Sequence, residues 1–199
     1  MHSCLLCARV RCSRKVLSDL NGDWSSQILF VAEAPGRLGA EVTGIPLFGD
    51  RTGDRFEEIL KQMRLRRSEV FITNAVLCNA RDEAGNNDTP SQSEIKNCSS
   101  FLRRTVEFVN PRVVIALGRV ALQALNRINE HGLTLRDSVG HLHNWNGRRL
   151  GVLYHPGPRT AVHRSWELQL EDADKVARAA RRTLSANSGF RHTSISANL

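Results

Sequence analysis

Residues 27–36, Gln-Ile-Leu-Phe-Val-Ala-Glu-Ala-Pro-Gly, carry the pattern that decides the fold. The run 27–32 is apolar after its first residue, and the Pro35-Gly36 pair that follows is a strong turn signal. A short continuous apolar run closed by a turn is typical of a strand buried on both faces of a sheet. We therefore expect the sheet of this protein to be covered by helices on both sides.

Further strands of the same kind alternate with helical segments along the chain. Apolar runs predict strands at 70–76, 113–117 and 149–154, and helical spacing predicts helices at 54–63, about 91–109, 118–126 and 165–184. Ser91 and Glu94 form a capping box at the start of the second helix. The alternation predicts an α/β fold with three layers, α/β/α, around a central, mostly parallel sheet of four strands.

The length of 199 residues fits a single domain, which we place at residues 1–185. Residues 186–199 are rich in Ser and Asn and are expected to form a flexible tail. No apolar run of about 18 residues predicts a membrane span, and residues 1–14 lack the apolar block of a signal peptide. We expect a monomer in the cytoplasm, associated with the nucleoid and not with a membrane.

The charge of the chain favours a polyanionic partner. Lys plus Arg is 28 and Asp plus Glu is 20, which gives a net charge of +8 and a pI near 9.9. Arginine predominates, and its planar guanidinium binds phosphate well. On charge alone, a nucleic-acid binder and a generic basic protein remain equally good interpretations.

Four of the five cysteines have the spacing of a metal site. Cys4 and Cys7 form a Cys-x2-Cys pair, and Cys78 and Cys98 are separated by nineteen residues. Four thiolates suit either zinc or an iron–sulfur cluster, although zinc sites usually have two tight pairs. Cys98 could instead be a buried helical residue. Cys12 is left without a role.

Three polar side chains lie at, or directly after, the ends of predicted strands. Glu33 follows the first strand, Asn74 lies near the end of the second, and His155 follows the fourth. Ligands of parallel sheets bind beyond the carboxyl ends of the strands. We therefore predict that these three side chains converge on one cavity.

From Cys4 to about Arg164, the chain resembles the uracil-DNA glycosylase superfamily, most closely its iron–sulfur branches. The resemblance implies a [4Fe-4S] cluster on the four cysteines, with zinc as the alternative, and excision of uracil or another deaminated base from DNA. The motifs that carry it are 31–36 with 44–53, 72–78, 90–98 with 111–118, and 154–158.

Several residues depart from the family pattern. Ala32 stands where iron–sulfur members usually have glycine, and Leu47 occupies the position of a base-stacking phenylalanine. The Cys78–Cys98 spacing is a few residues longer than usual, and the run 49–53 resembles the branch that accepts a wider range of bases. One branch cross-links to uracil through a loop histidine, but residues 79–89 contain none, so we expect turnover.

The expected chemistry assigns roles to the candidate residues. The Asn74 amide can pair with a pyrimidine carbonyl and its N3–H, unless it only satisfies its own backbone. A donor on His155 can stabilise the negative charge of the departing base, unless this is an ordinary loop histidine. Glu33, or else Glu41, could orient the attacking water or offset positive charge on the sugar.

The remaining candidates would hold the base and the backbone. Leu47 or Phe48 would cover the face of the flipped base, unless both are core residues. Ala34 and Gly36 would border the base, and the turn that contains them would face DNA phosphates together with the loop that follows the predicted strand 149–154. The phosphate-binding residues predicted in that loop are Gly157, Arg159, His163 and Arg164. Since residues 31–53 and 154–164, which supply the candidate catalytic residues, contain no lysine, we expect an abasic product without strand cleavage.

Two other classes of protein remain possible on sequence. Ala32 and Leu47 favour a nucleic-acid-binding module without catalytic activity, in which the cluster is a structural cross-link. The four cysteines alone also fit a small zinc protein. The residues do not discriminate between uracil, hypoxanthine and xanthine, or between single-stranded and double-stranded DNA.

Overall fold

The computed structural model describes residues 4–10 and 13–186. Cys12 and all but the first residue of the predicted tail lie outside this part of the chain. The described residues form five strands and six α-helices. The strands are β1 Ile28–Ala32, β2 Phe71–Asn74, β3 Val113–Leu117, β4 Leu142–Trp145 and β5 Arg148–Leu153. The α-helices are α1 Ala40–Thr43, α2 Arg51–Met63, α3 Gln92–Val109, α4 Arg119–Ile128, α5 Leu135–Ser138 and α6 Trp166–Ser185. Single 3-10 turns occupy Ala8–Val10, Asp19–Asn21, Arg67–Glu69 and Pro158–Val162.

The strands form one mixed sheet in the order β2-β1-β3-β5-β4. β2, β1, β3 and β5 are parallel, and β4 pairs with β5 in the antiparallel direction. The α/β class is confirmed, but the sheet has five strands and not the predicted four. The sequence did not predict β4 because three of its four residues are partly or fully exposed, so it lacks the continuous apolar run of the buried strands, which include the other edge strand, β2.

Helices cover both faces of the sheet, as the apolar strands predicted. Leu29 and Val31 of β1 belong to a core cluster shared with α3 and α4. Ile28, Phe30 and Ala32 point to the other face and pack in a cluster with α2 and α6. The side chains of a strand alternate between the two faces, so each face of β1 builds one of the two cores.

The helices begin and end where local signals predict. The Asp50 side chain caps α2 by accepting from the Gly53 amide at 2.9 Å. Ser91 and Glu94 form the predicted capping box at α3, and Asn110 ends that helix in the left-handed conformation. The described helices include none with the length and apolar character needed to cross a bilayer.

Candidate active site

A cavity of about 720 Å³ opens at the carboxyl edge of the parallel strands. Four chain segments line it: the turn after β1, the residues that lead into α2, the loop 79–89 and the loop after β5. The predicted site residues in the lining are Glu33, Ala34, Gly36, Leu47, His155, Gly157 and Arg159. The sheet therefore brings most of the predicted residues together, although they are far apart in sequence.

Glu33 leaves β1 directly into this cavity and is partly buried. Burial raises the pKa of its carboxyl group above the ordinary value, the positive charge of Arg119 opposes that shift, and Asp88 adds to it. A carboxylate with a raised pKa in a cavity is suited to bind and orient a proton donor such as water.

His155 is held as a neutral ring with a defined tautomer. Its Nδ1 accepts a hydrogen bond from the Gly157 amide at 3.0 Å, so the neutral ring carries its proton on Nε2. Burial lowers the pKa of His155 to about 4, against the opposing charge of Asp50. At neutral pH the side chain is therefore an uncharged donor through Nε2.

Gly118 makes room for this histidine. A side chain at Gly118 would approach the His155 Cβ to 3.0 Å, and the glycine has φ +88°, a conformation that other residues rarely adopt. The Gly118 amide also donates to the Leu153 carbonyl at 2.8 Å, which joins the ends of β3 and β5.

Asn74, which was predicted to converge with Glu33 and His155, is not among the residues that line the cavity. It is the last residue of β2, is paired in register with Ala32, and is only 2% exposed. Its Nδ2 is buried without a hydrogen-bond partner, which is costly inside a protein.

Leu47 and Phe48 take different positions. Leu47 is buried, lines the cavity and has φ +49°, a strained conformation for a residue with a branched side chain. Two contacts of Arg67 hold this segment: its guanidinium donates to the Leu47 carbonyl at 2.8 Å and to the Pro46 carbonyl at 2.9 Å. Phe48 is 44% exposed and lies outside the lining.

Glu41, the alternative catalytic carboxylate, is engaged elsewhere. Its Oε2 accepts from the Arg81 guanidinium at 2.7 Å, and it is not among the residues that line the cavity. Of the two candidates, the structure brings only Glu33 to the cavity.

The loop 79–89 forms one wall and is tied to the turn after β1. The Asn79 amide donates to the Pro35 carbonyl at 2.5 Å and to the Asn87 Oδ1 at 2.9 Å. Asn87 Oδ1 also accepts from the Arg37 backbone amide at 2.9 Å. These bonds hold the turn at 34–37 against the loop, so the two walls form one connected unit.

Arg9 connects the N-terminal segment to the same wall. Its guanidinium forms hydrogen bonds with both carboxylate oxygens of Glu94, at 2.7 and 3.1 Å, and pairs with Asp88. It also donates to the Thr89 carbonyl at 3.1 Å. The segment that contains Cys4 and Cys7 is thereby anchored to the cavity wall.

The four residues predicted to bind phosphate in the loop after β5 have different surroundings. Gly157 and Arg159 line the cavity, whereas His163 is exposed beyond it. Arg164 differs from the prediction, since its guanidinium pairs with both oxygens of the buried Asp172, at 2.5 and 2.8 Å. Its charge is already neutralised inside the protein, so Arg164 holds the loop to α6 and does not face phosphate.

Replacing Arg164 with glutamine is expected to lower the free energy of unfolding by about 2–3 kcal/mol. Asp172 would be left buried with only Lys175 nearby, at 3.7 Å, and an unpaired buried charge is expensive. Arg178→Gln breaks the exposed pair with Asp174 and should cost less than about 1 kcal/mol. Urea titrations of both variants measure the difference, and equal losses would contradict this role of Arg164.

The four predicted metal-ligating cysteines lie near one another. Cys78 and Cys98 are each 7% exposed, and Cys4 and Cys7 are partly buried. Burial raises the pKa of Cys98 to about 11, and the charges of the other three thiols act in the same direction. The Asn97 amide donates to the Cys7 sulfur at 3.4 Å.

Within residues 4–10 and 13–186, no three His, Cys, Asp or Glu side chains are arranged to hold a single metal ion. The thiols of Cys4, Cys7 and Cys78 are close enough to Cys98 to act on it electrostatically. A single zinc would draw all four sulfur atoms to about 2.3 Å from itself, whereas a cluster of four irons spreads its ligands over several metals.

Asp50 is a site residue that sequence reasoning missed. Besides capping α2, it lines the cavity, and its carboxylate would lie 2.8 Å from a Cβ placed on Gly36. Its charge also acts on His155. The spacing of Asp50 and Gly53 before a helical pattern was the available signal, since it is typical of an N-cap.

A carboxylate and a neutral imidazole in one cavity, at the carboxyl edge of a parallel sheet, define an α/β protein built to act on a bound ligand. The family described as the Uracil DNA glycosylase superfamily matches residues 21–181. This chain belongs to that superfamily.

Individual relatives agree with this assignment. The chain is 33% identical to the type-4 uracil-DNA glycosylase of Archaeoglobus fulgidus over 141 residues, 68% of this chain and 67% of that protein. It is 33% identical to the type-4 enzyme of Thermotoga maritima over 159 residues, 78% of each. It is also 32% identical to a type-5 uracil-DNA glycosylase of Pyrobaculum aerophilum over 150 residues, 69% of this chain and 64% of that protein.

Proposed function

We propose that this protein excises uracil, or another deaminated base, from DNA by hydrolysing the N-glycosidic bond and leaving an abasic site. The observation that carries the proposal is the pairing, in one cavity, of the half-buried Glu33 with a neutral His155 whose free donor is Nε2. A duplex conceals its bases, so the target nucleotide must be flipped out before the cavity can receive it.

Asn74 and Leu47 form the base-binding part of the site. The unsatisfied Asn74 amide would gain a partner from the carbonyl and N3–H edge of a pyrimidine. Leu47 presents an aliphatic surface in the cavity where an aromatic ring would stack more strongly. We infer a pocket that grips the base face weakly and depends on the amide for recognition.

His155 and Glu33 divide the chemistry. As the glycosidic bond breaks, negative charge develops on the base, and the Nε2 proton of His155 stabilises it by hydrogen bonding. Positive charge develops on the sugar, and the Glu33 carboxylate offsets it and orients the attacking water. The motifs that supply these residues contain no lysine for a Schiff base, so the reaction ends at the abasic site.

The rim of the cavity binds and separates the DNA strand. Gly36, Gly157 and Arg159 face the backbone phosphates, with His163 further out. Val162, near the end of the loop after β5, is 83% exposed, and the exposure of an apolar side chain to water does not stabilise the folded protein. It would act as the wedge that fills the gap left by the flipped base.

We propose that Cys4, Cys7, Cys78 and Cys98 hold a [4Fe-4S] cluster. Four soft thiolate ligands within electrostatic range of one another suit iron–sulfur chemistry, and the loose spacing of Cys78 and Cys98 is unlike the two tight pairs of most zinc sites. When bound, the cluster would act as a structural cross-link between the N-terminal segment and α3. Anaerobically purified protein should be brown, with absorbance near 400 nm, and colourless zinc-containing protein would contradict the assignment.

All proposed site residues come from one chain, so a monomer suffices. Because the proposed substrate is DNA, we propose that the protein acts at the nucleoid in the cytoplasm. The alternative function is a DNA-binding module without catalysis, which the leucine at the stacking position favours.

A panel of oligonucleotides, each with one uracil, hypoxanthine or xanthine, tests the function. Hot alkali converts an abasic site to a strand break, so breaks in the wild-type reaction indicate a glycosylase, and intact but bound DNA indicates a binding module. We expect the uracil strand to be cut most readily. Single-stranded and duplex forms of each oligonucleotide measure the strand preference.

Asn74→Ala should lower kcat/KM on the uracil strand about 10- to 100-fold, because it removes two hydrogen bonds to the base. Asn21→Ala is the matched control, since Asn21 is 1% exposed and bonds to the Ile72 carbonyl away from the cavity. It should destabilise the protein and leave kcat/KM near wild type at temperatures where it is folded. Equal activity in Asn74→Ala and wild type would show that Asn74 does not read the base.

A further inference from the structure

A second cleft, of about 840 Å³, lies at the opposite edge of the sheet from the candidate active site. It is formed at the amino ends of β3 and β5 and by the turn between β4 and β5. Arg112, Arg148 and Arg149 all line it. The glycosylase chemistry proposed above uses none of these residues.

The three guanidinium groups are bonded only to neutral oxygens. Arg148 donates to the Asn110 side chain at 2.9 Å and Arg149 to the Asn144 side chain at 2.8 Å. Arg112 donates to backbone carbonyls at the end of α6. In the described part of the chain, none of the three belongs to an ion pair, so their positive charges are not compensated locally.

Two of these groups also have unused donors. The Nε atoms of Arg148 and Arg149 are shielded from solvent and have no hydrogen-bond partner. A shielded donor on a charged group is costly unless a ligand satisfies it. The lining contains a single carboxylate, that of Glu130.

The other clefts have a different charge balance. The lining of the candidate active site combines three arginines with four carboxylates, Glu33, Asp50, Asp82 and Asp88. A third cleft, beside α2 and α6, has four basic residues and two carboxylates, Glu58 and Asp174, and Asp174 forms an ion pair with Arg178 of the same lining. The amino-edge cleft thus differs from the candidate active site in its excess of positive charge, and from the third cleft in that none of its described arginines belongs to an ion pair.

We propose that the cleft lined by Arg112, Arg148 and Arg149 binds a phosphate-bearing anion at a site separate from the active site. The planar fork of arginine matches the oxygens of a phosphate, and several forks in one cleft can hold a single group. The five residues of β3 span about 17 Å between the two sites, and a duplex is stiff over about 50 nm. A duplex seated at the active site would therefore not curve round to the opposite edge, and the phosphate would come from a free nucleotide or a second DNA segment.

Isothermal titration calorimetry with pyrophosphate tests the proposal. Wild-type protein should bind pyrophosphate. Arg148→Gln and Arg149→Gln should each bind it with an affinity lower by a factor of about ten or more, and the glycosylase activity of both should be unchanged. Arg159→Gln removes a charge from the active site, and Lys61→Gln removes one from the third cleft. Both controls should bind as the wild type does.

Absence of pyrophosphate binding by the wild type would overturn the proposal. So would loss of binding in Arg159→Gln with full binding in Arg148→Gln, since the anion would then occupy the active site. Melting temperatures without ligand show whether each variant is folded. Arg148 is suited to this test because both its acceptors are exposed residues of the rim.

Competition identifies the source of the phosphate. A free deoxynucleoside monophosphate that displaces pyrophosphate from the wild type, and that itself binds Arg148→Gln more weakly than the wild type in a direct titration, supports a nucleotide site. Displacement by a short undamaged duplex, with the same dependence on Arg148, supports a second DNA segment. Failure of both to compete would overturn a site for biological phosphates. Neither result depends on excision of a base, so this proposal and the glycosylase assignment can fail independently.

Discussion

Glu33→Gln is expected to lower kcat for uracil excision about 10²- to 10⁴-fold, the contribution typical of a positioned acid–base group. Glutamine keeps the shape of the side chain but removes the negative charge that offsets the developing positive charge on the sugar. Single-turnover kinetics with excess enzyme measures the chemical step directly. Binding of uracil-containing DNA should change far less than kcat, since glutamine preserves the volume of the cavity.

The pH dependence identifies the same group. Glu33 acts in its ionised form, and burial raises its pKa above the ordinary value of 4.5. Activity should therefore fall as the pH decreases through a value above 4.5, and this acid limb should be absent from the residual activity of Glu33→Gln. Arg119 lowers the pKa of Glu33, so Arg119→Gln should move the limb to higher pH.

Glu41→Gln distinguishes the two carboxylates. Glu41 is paired with Arg81 outside the cavity, so its loss should reduce stability and leave kcat close to that of the wild type. A loss of kcat in Glu41→Gln equal to that in Glu33→Gln would contradict the assignment of Glu33. An acid limb that persists in Glu33→Gln would contradict it as well.

His155→Ala should lower kcat about 10²- to 10³-fold, equivalent to about 3–4 kcal/mol, as expected for loss of one donor to a developing anion. His163→Ala is the matched control, because His163 ends the same loop but is exposed outside the cavity. It should affect binding at low salt and leave kcat unchanged. Equal kcat values for His155→Ala and wild type would exclude His155 as the donor to the leaving base.

His155 should not titrate in the usual range of histidine. Burial lowers its pKa to about 4, so the folded enzyme keeps the ring neutral where the unfolded chain, with a pKa near 6.5, takes up a proton. The unfolded state then binds more protons between about pH 4 and 6.5, and stability should increase with pH across that window. The NMR signals of the His155 ring should show no inflection near pH 6.5, and His155→Ala should reduce the slope of stability against pH.

Much of the fold could be predicted because its signals are local. The four parallel strands contain apolar runs, and α2, α3 and α6 begin at capping residues a few positions from the bonds they form. The positions of Glu33 and His155 directly after their strands were enough to predict that both line one cavity, since parallel strands end at one edge, whereas Asn74, predicted with them, is not in the lining. β4 escaped because a half-exposed edge strand leaves only a weak apolar pattern.

The sequence by itself determined the α/β class, the edge of the sheet that carries the site and the residue types available there. Only the tertiary structure brought Glu33 and not Glu41 to the cavity, buried the Asn74 amide without a partner, fixed the tautomer of His155 and paired Arg164 with Asp172. The physical reason is that apolar periodicity and helix capping act between near neighbours in the chain. Burial, pKa and the choice of partner depend instead on groups that folding brings together, such as Arg81 and Glu41, forty positions apart.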